Sequence, residues 1–357
     1  MRNTKLIPTF LNRFPFCSVN VLNYNEKEYL NNCLASLSKI NYPRKRYEII
    51  LIDNGSSDGS VDFVKETFPK IKIIQNRNIG FSAGNNIALR NEESDYCILL
   101  NADAAVDKNW LVELVKVAES DKSIGLCTSK IMMLDDNKII NSAGGVVHFL
   151  GFAWPRGLYT RDKNQFDKNE ETTLASGASL LIRKNIFRKV GYFDEIYFLY
   201  CEDLDYTWRA RLAGFKAIFV PNSVVYHKYG GSVRKNITNF KKFYFVERNR
   251  LVTIMKNYSL ETLLVILPIM LLTEIGFMLY YSSLGSPLLK IRTYYWILKN
   301  IKGILIKRKE IQITREVTDG EVVGLFVSKF SYFPTSVIFK ILNSIMPSYW
   351  NIAQNLI

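Results

Sequence analysis

Residues 47–60 read YEIILIDNGSSDGS, a nearly continuous apolar run that stops at Asp53 and passes into Asn, Gly and Ser. A run of this kind is a strand buried on both faces, as parallel strands between helices are, and its polar tail is a turn. Working outward, CSVNVLNYN from Cys17 precedes it across an amphipathic stretch, Glu26 to Ser38, and IKIIQN follows it across a second, Val61 to Phe68. A glycine-rich turn, NIGFSAGNN, then opens a helix that ends before DYCILLNAD. This order predicts four parallel strands joined by crossover helices, a Rossmann-like half in the first hundred residues.

Beyond it, residues 124–147 and 176–182 are strand-like and enclose a polar loop around 155–172, so mixed strands are expected to extend the sheet. DLDYTWRARLAG, from Asp203 to Gly214, has a carboxylate at its start and glycine at its end, as a helix of about three turns would, and FKAIFV returns to strand. The chain therefore divides into an N-terminal extension (1–16), an α/β domain (17–235) and a helical C-terminal region (236–357).

The composition fits that division. With 357 residues, 48% of them apolar and 22% charged, the chain can bury a core, and disordered and collagen-like polymers are excluded. The net charge, 47 − 33 = +14, favours an anionic surface or ligand: nucleic acid, phospholipid headgroups or a nucleotide. Five cysteines scattered singly, with only His148 and His227 to join them, argue against a disulfide scaffold or a zinc finger. MRNTKLIPTFLNRFPF lacks the apolar core of a secretory signal, so folding in the cytoplasm is expected.

Residues 262–284, TLLVILPIMLLTEIGFMLYYSSL, carry one charge, Glu274, and are long enough to cross a bilayer. Pro268 and Glu274 interrupt the run, and both flanks are basic: Lys241, Lys242, Arg248, Arg250 and Lys256 before it, Lys290, Arg292, Lys299 and Lys302 after it. Two half-length helices in the interface of one anionic leaflet accommodate these features better than a single span, and a buried core helix is the alternative.

In an α/β sheet ligands bind at the C-terminal ends of the parallel strands. Four such ends are polar here: Asn23, Tyr24 and Asn25; Asp53 with Asn54 to Asp58; Asn78 and Gly80; and Asn101, Ala102 and Asp103. Each alone could be a turn or a helix cap. Together, and without a P-loop or a compact GxGxxG, they suggest nucleotide binding in which Gly80 and Gly84 let the backbone approach a flat ring. Asp103 is an oxygen donor suited to Mg²⁺ or Mn²⁺, which would neutralise a pyrophosphate.

The ordered set NYN, DNGSSDGS, NIGFSAGNN, LLNAD, SGASLLIRKNIFRKVGYFDEIYFLYCEDLDYTWR and VVYHKYGGS closely resembles the family 2 glycosyltransferases of the GT-A fold, in particular their rhamnosyltransferase-like branch, over residues 17–235. That resemblance implies an inverting glycosyltransferase that moves a sugar from a nucleotide-diphospho-sugar to a hydroxyl of a saccharide or lipid-linked acceptor, in cell-surface or glycoprotein glycan synthesis. It implies that Asp53 binds the base, that Asn23, Tyr24, Asn25, Asn78, Gly84 and Asn85 line the nucleoside pocket, and that Asp103 is the remaining carboxylate of the metal-binding DxD motif, whose first position is Asn101.

By the same resemblance Asp203 is the general base, His227, with Gly230 and Ser232, supplies the second ligand of a divalent ion (Mn²⁺ or Mg²⁺), and Gly177 and Ala178 belong to the loop near the transferred sugar. Trp208 could stack on a sugar or belong to the core. Implied partners are the donor, the acceptor and the cytoplasmic face of the cell membrane, with no nucleic acid. The alternatives are a GT-A-like protein that binds a nucleotide sugar without transferring it, and a basic nucleic-acid-binding protein, which lacks any RRM, helix-turn-helix or zinc-finger signature.

Overall fold

The computed structural model describes residues 14–90, 93–229, 239–331 and 337–357. Twelve strands are described: β1 (Cys17–Asn23), β2 (Tyr47–Asp53), β3 (Lys72–Gln75), β4 (Tyr96–Asn101), β5 (Ala104–Val106), β6 (Ile124–Met133), β7 (Ile140–Ser142), β8 (Gly145–Val147), β9 (Ala153–Pro155), β10 (Glu170–Glu171), β11 (Ser179–Arg183) and β12 (Lys216–His227). The helices are α1 (Lys27–Leu37), α2 (Ser60–Thr67), α3 (Gly80–Arg90), α4 (Trp110–Ser120), α5 (Ile186–Val190), α6 (Glu202–Leu212), α7 (Asn239–Asn257), α8 (Leu260–Ser283), α9 (Leu288–Thr314), α10 (Asp319–Val323) and α11 (Val337–Ala353).

The main sheet runs β10-β12-β6-β11-β4-β1-β2-β3, with β5 on β12 and β7 on β6. β1 to β4 are mutually parallel in the order 3-2-1-4, as expected, and β11 enters antiparallel between β4 and β6. Register places the polar strand ends side by side: Asn23 opposite Asp53, Leu22 opposite Asn101 and Asp53 opposite Gln75. Side chains alternate across the sheet. Tyr96, Ile98 and Leu100 of β4 pack with α1 and α4, while Cys97 and Leu99 face the layer of α3, α5 and α6.

Helix α6 is sandwiched. Tyr206 and Ala210 meet the sheet, and Leu204, Trp208 and Leu212 meet the C-terminal helices. Trp208 is 1% exposed, its ring edge-on to Tyr258 and Phe326, so it belongs to the core and offers no face to a sugar. Asp205 is equally internal: it pairs with Arg209 at 2.7 Å and with Lys256 of α7 at 3.1 Å, fastening α6 to α7.

The apolar run is one helix, α8, that continues through Pro268 and Glu274; the two half-length helices expected from the sequence are not what forms. Its 24 residues extend about 36 Å. Thr262, Ile266, Ile269, Thr273, Glu274, Phe277 and Tyr281 recur at helical spacing and are buried along its whole length. Glu274 does not break the helix because it is paired: it meets Arg250 of α7 and Lys290 of α9 and accepts from the Tyr294 hydroxyl at 2.7 Å. Glu247 closes the cluster, 3.0 Å from Arg250 and 2.8 Å from Lys290.

The basic flanks are correspondingly thinner than the sequence suggests. Arg248, Arg250, Lys256 and Lys290 are buried in the protein, whereas Arg292, Lys299 and Lys302 of α9 are exposed. Opposite the buried face of α8, Leu264, Leu271, Ile275 and Leu279 are 55–61% exposed, and Leu288, Ile291, Leu298 and Ile306 continue that apolar surface on α9.

Candidate active site

The turn after β2 is held from beneath. Asp53, 2% exposed, accepts from the Asn23 amide at 2.9 Å and from the Ser56 N–H at 3.1 Å, while Ser56 Oγ accepts from Asn23 at 3.0 Å and from the Asn25 N–H at 2.9 Å. Asn25 adopts φ +57°, a left-handed conformation that asparagine tolerates, and its side chain accepts from the Ser57 N–H at 2.8 Å. A second knot joins β2 to the glycine-rich turn: Asn54 donates to the Gly80 carbonyl at 3.1 Å, and Asn78 accepts from the Gly80 N–H at 3.1 Å. Gly80 needs its hydrogen, since φ is +86° and a Cβ would lie 2.3 Å from the Phe198 carbonyl oxygen.

Gly84 and Asn85 sit deeper than a pocket lining requires. A Cβ at Gly84 would meet Leu22 at 2.9 Å, so its smallness lets α3 approach β1, and Asn85 is 1% exposed and donates to the Phe81 carbonyl at 3.0 Å. Tyr24 and Asn78 do face a cavity of about 910 Å³, together with Leu22, Asn54, Gly80 and Phe81, and Asn101, Ala102 and Asp103 close its end.

At that end three predicted residues converge. His227 Nε2 lies 3.1 Å from Asp103 Oδ1 and 3.2 Å from Asn101 Nδ2, and His227 Nδ1 lies 3.1 Å from Asn141 Oδ1. With Nδ1–H donated to Asn141, the single lone pair of the neutral ring is on Nε2, where it faces both the Asn101 amide and the Asp103 carboxylate. Two electron-rich donors held at contact distance, one anchored through its far nitrogen, form a pair that a divalent ion would bridge favourably. The residues present thus fit such an ion, with further ligands left to a bound anionic group: among the described residues no third carboxylate, thiolate or imidazole joins them. Burial would raise the Asp103 carboxyl; in the alternative ring state, with a proton on Nε2 as well, the His227 charge and hydrogen bond more than offset this and hold it below the ordinary carboxylate range. Gly230 and Ser232 of the same motif lie outside the described residues.

A two-residue turn connects this end to Asp203. Ala178 accepts from the Asn101 N–H at 3.3 Å, and the Gly177 N–H donates to Asp203 Oδ2 at 3.2 Å. A Cβ at Gly177 would lie 2.9 Å from the ring of Phe81, which lines the cavity, and 3.8 Å from Asp203 Cβ, so this glycine sits between that ring and Asp203. Asp203 opens α6 behind two successive left-handed residues, Tyr200 (φ +70°) and Cys201 (φ +65°). Such strain persists only where neighbours hold it. Here Asn249 of α7, absent from the sequence expectations, donates to the carbonyls of Leu199 and Tyr200 at 2.9 and 2.7 Å. Burial pushes the half-buried Asp203 carboxyl above its usual value, against the lowering pull of the Gly177 and Leu204 N–H groups. Burial, then the charge of Asp203, pushes Glu202 up much further.

The cavity is also lined by the C-terminal helices: Phe240, Lys241, Tyr244 and Phe245 of α7, and Arg292, Tyr295 and Trp296 of α9. None of these was singled out as a site residue from sequence, because nothing in their local pattern distinguishes them from an amphipathic surface.

Comparisons with known proteins bear on the family and the fold. Residues 18–191 match the family model described as Glycosyl transferase family 2. An N-acetylglucosaminyl-diphospho-decaprenol L-rhamnosyltransferase of Mycobacterium tuberculosis is 28% identical over 232 residues, covering 58% of this chain and 75% of the relative. A poly-beta-1,6-N-acetyl-D-glucosamine synthase of Staphylococcus aureus is 25% identical over 229 residues, 61% of this chain and 53% of the relative. Among solved structures, the mannosyltransferase PcManGT of Pyrobaculum calidifontis, in complex with GDP-Man and Mn²⁺, superposes with a TM-score of 0.51 at 16% identity, covering 85% of this chain and 86% of that one. GalNAc-T7 with UDP, GalNAc and Mn²⁺ gives 0.55 at 20% identity, covering 69% and 48%, so this chain matches about half of its length.

Proposed function

We propose that this chain, which has a GT-A-like fold and matches the family 2 glycosyltransferase model over residues 18–191, catalyses inverting transfer of a sugar from a nucleoside-diphosphate donor to a hydroxyl of a saccharide or lipid-linked acceptor in surface glycan synthesis. The observation that carries this reading is the continuous chain of contacts from the Asp103–His227 pair, through Asn101, Ala178 and Gly177, to Asp203. The nucleoside lies over the turns that Asp53 and Asn54 hold, against Tyr24 and Asn78. Asp203 takes the proton of the acceptor hydroxyl as its oxygen bonds the anomeric carbon and the bond from that carbon to the diphosphate breaks. Asp103 and His227 would hold a divalent ion, Mn²⁺ or Mg²⁺, which neutralises the departing diphosphate when bound. Imidazole in the pair favours Mn²⁺.

A panel of nucleotide sugars tested for hydrolysis and transfer checks the reading, and calorimetry checks the ion site. With two protein ligands among the described residues, Mn²⁺ should bind weakly to the free protein and tightly in the presence of the matching nucleotide, and EDTA should abolish turnover. Tight Mn²⁺ binding by the free protein, or turnover that survives EDTA, contradicts the assignment.

The same reading places the enzyme on the cytoplasmic face of the membrane, lying on the bilayer by one flank of α8 and α9. Support comes from the exposed leucines and isoleucines of both helices and from Arg292, Lys299 and Lys302 interleaved with them. The inner face of α8 stays on the protein, so the helix lies along the surface and does not cross it. In flotation the protein should rise with liposomes and remain bound in high salt. Complete release by salt, or a detergent-free soluble monomer, rules out apolar insertion.

A further inference from the structure

Helix α7 serves two places in the fold. Its first turns line the cavity with Phe240, Tyr244 and Phe245, and its middle grips the stretch of chain that ends in Asp203. Arg248 donates to the Ile196 carbonyl at 3.3 Å, the Thr253 and Tyr197 hydroxyls meet at 2.8 Å, and Lys256 pairs with Asp194. Within the gripped stretch Phe198 and Leu199 themselves line the cavity. Immediately after them come the left-handed Tyr200 and Cys201, and then the first residues of α6.

At the centre of this grip is Asn249, 1% exposed. Its amide nitrogen donates one hydrogen to the Leu199 carbonyl and the other to the Tyr200 carbonyl, and its oxygen accepts from Arg248 Nε at 2.8 Å. Its orientation is fixed by its partners: a carbonyl can only accept and a guanidinium can only donate, so a flipped amide would face the wrong group on both sides. Neither an ionised aspartate nor a leucine, close to it in size, could hold both carbonyls, because neither side chain donates. Arg248 is buried as well, and its guanidinium lies 4.3 Å from the ring of Trp296, which reaches the cavity from α9. Two consecutive non-glycine residues at positive φ persist only while their surroundings hold them. Released, the turn would relax toward negative φ and carry the start of α6, with Asp203, away from the Gly177 N–H.

We propose that Asn249, oriented by Arg248, is a positioning residue for Asp203: by holding the Tyr200–Cys201 turn it fixes where the carboxylate stands against the Gly177 turn. The assignment deepens the reading of Asp203 as general base and rests on it. Asn249 does not line the cavity, so it acts on the reaction through Asp203, and its loss should be felt in turnover and not in donor binding.

The test uses the full chain in detergent micelles. Asn249→Leu, similar in size and uncharged, removes both donated bonds. With the best nucleotide sugar of the panel, kcat should fall about tenfold or more, while donor KM and the binding of UDP or GDP with Mn²⁺ stay within about twofold. Arg248→Gln leaves the amide its two carbonyls but removes the group that orients it, and should show a smaller loss of the same kind; if Asn249→Leu does not fold, this variant decides by the same split. A further readout needs no turnover. The carboxyl ¹³C resonance of Asp203, identified by its absence in Asp203→Asn, should titrate above the ordinary aspartate range in the wild type and move toward that range in Asn249→Leu, as a relaxed turn opens the carboxylate to water. Cys201 and Glu202, its ionisable neighbours, and the Gly177 N–H that faces it are the same in both proteins. Unchanged kcat in the folded variants overturns the proposal, as does a loss of nucleotide binding that matches the loss of kcat, or an Asp203 titration that does not move. A titration that moves as expected in a protein that transfers no nucleotide sugar supports the positioning and overturns the catalytic reading instead.

Discussion

Asp203→Asn is expected to lower kcat by about 100-fold or more while leaving donor binding nearly unchanged. The amide keeps the shape of the side chain and can still accept from the Gly177 N–H, so the turn between Asn101 and α6 should survive. What is lost is the capacity to take a proton. Because burial raises the Asp203 carboxyl, the wild-type rate should climb with pH through a value above the ordinary aspartate range, as the deprotonated, competent form accumulates. That acid limb should vanish in the variant. Single-turnover and steady-state rates across pH measure both effects, and near-normal turnover in Asp203→Asn would remove it as the base.

Arg250→Met is expected to destabilise the protein by about 3–5 kcal/mol, because it leaves Glu247 and Glu274 buried with only Lys290 to offset them. The double substitution Arg250→Met/Glu274→Leu restores charge balance, since Glu247 and Lys290 remain as a pair, and should recover most of the loss. Urea unfolding of the wild type, both single variants and the double variant gives the cycle. If the double variant is as unstable as Arg250→Met, the cluster is not held by charge pairing and the account of Glu274 inside an apolar helix fails.

The parts of this molecule that could be read from sequence are those set by local rules. Parallel strands buried on both faces announce themselves as apolar runs, and Asn, Asp and Gly mark where they stop; hence Asn23, Asp53, Asn78 and Asp103 were found, and register brings the first two level. What escaped depends on partners far along the chain. Arg250 and Glu274 are 24 residues apart and Lys290 and Glu247 are 43 apart, so Arg250 and Lys290 looked like parts of membrane-facing basic flanks, Glu274 looked like a break in a membrane segment, and Glu247 drew no notice. Helix α6 is buried on two sides, which leaves no amphipathic signal to tell whether Trp208 faces ligand or core. Asn141 and Asn249, which orient His227 and hold the strained turn before Asp203, belong to no motif, and only the folded chain shows what they touch.

The two walls of the cavity are inherited on separate stretches of the gene. The strand-side lining lies mostly within residues 18–191, the segment that matches the family model, and the helical lining begins at Phe240 and ends at Trp296. Substitutions in the helical lining can therefore alter one part of the cavity without touching the other, and one stretch can be replaced while the other is kept. The limit on such exchange is set at the seam: Asp205 requires Lys256, and Trp208 requires Tyr258 and Phe326, so a transplanted C-terminal half must bring those three residues to the same places.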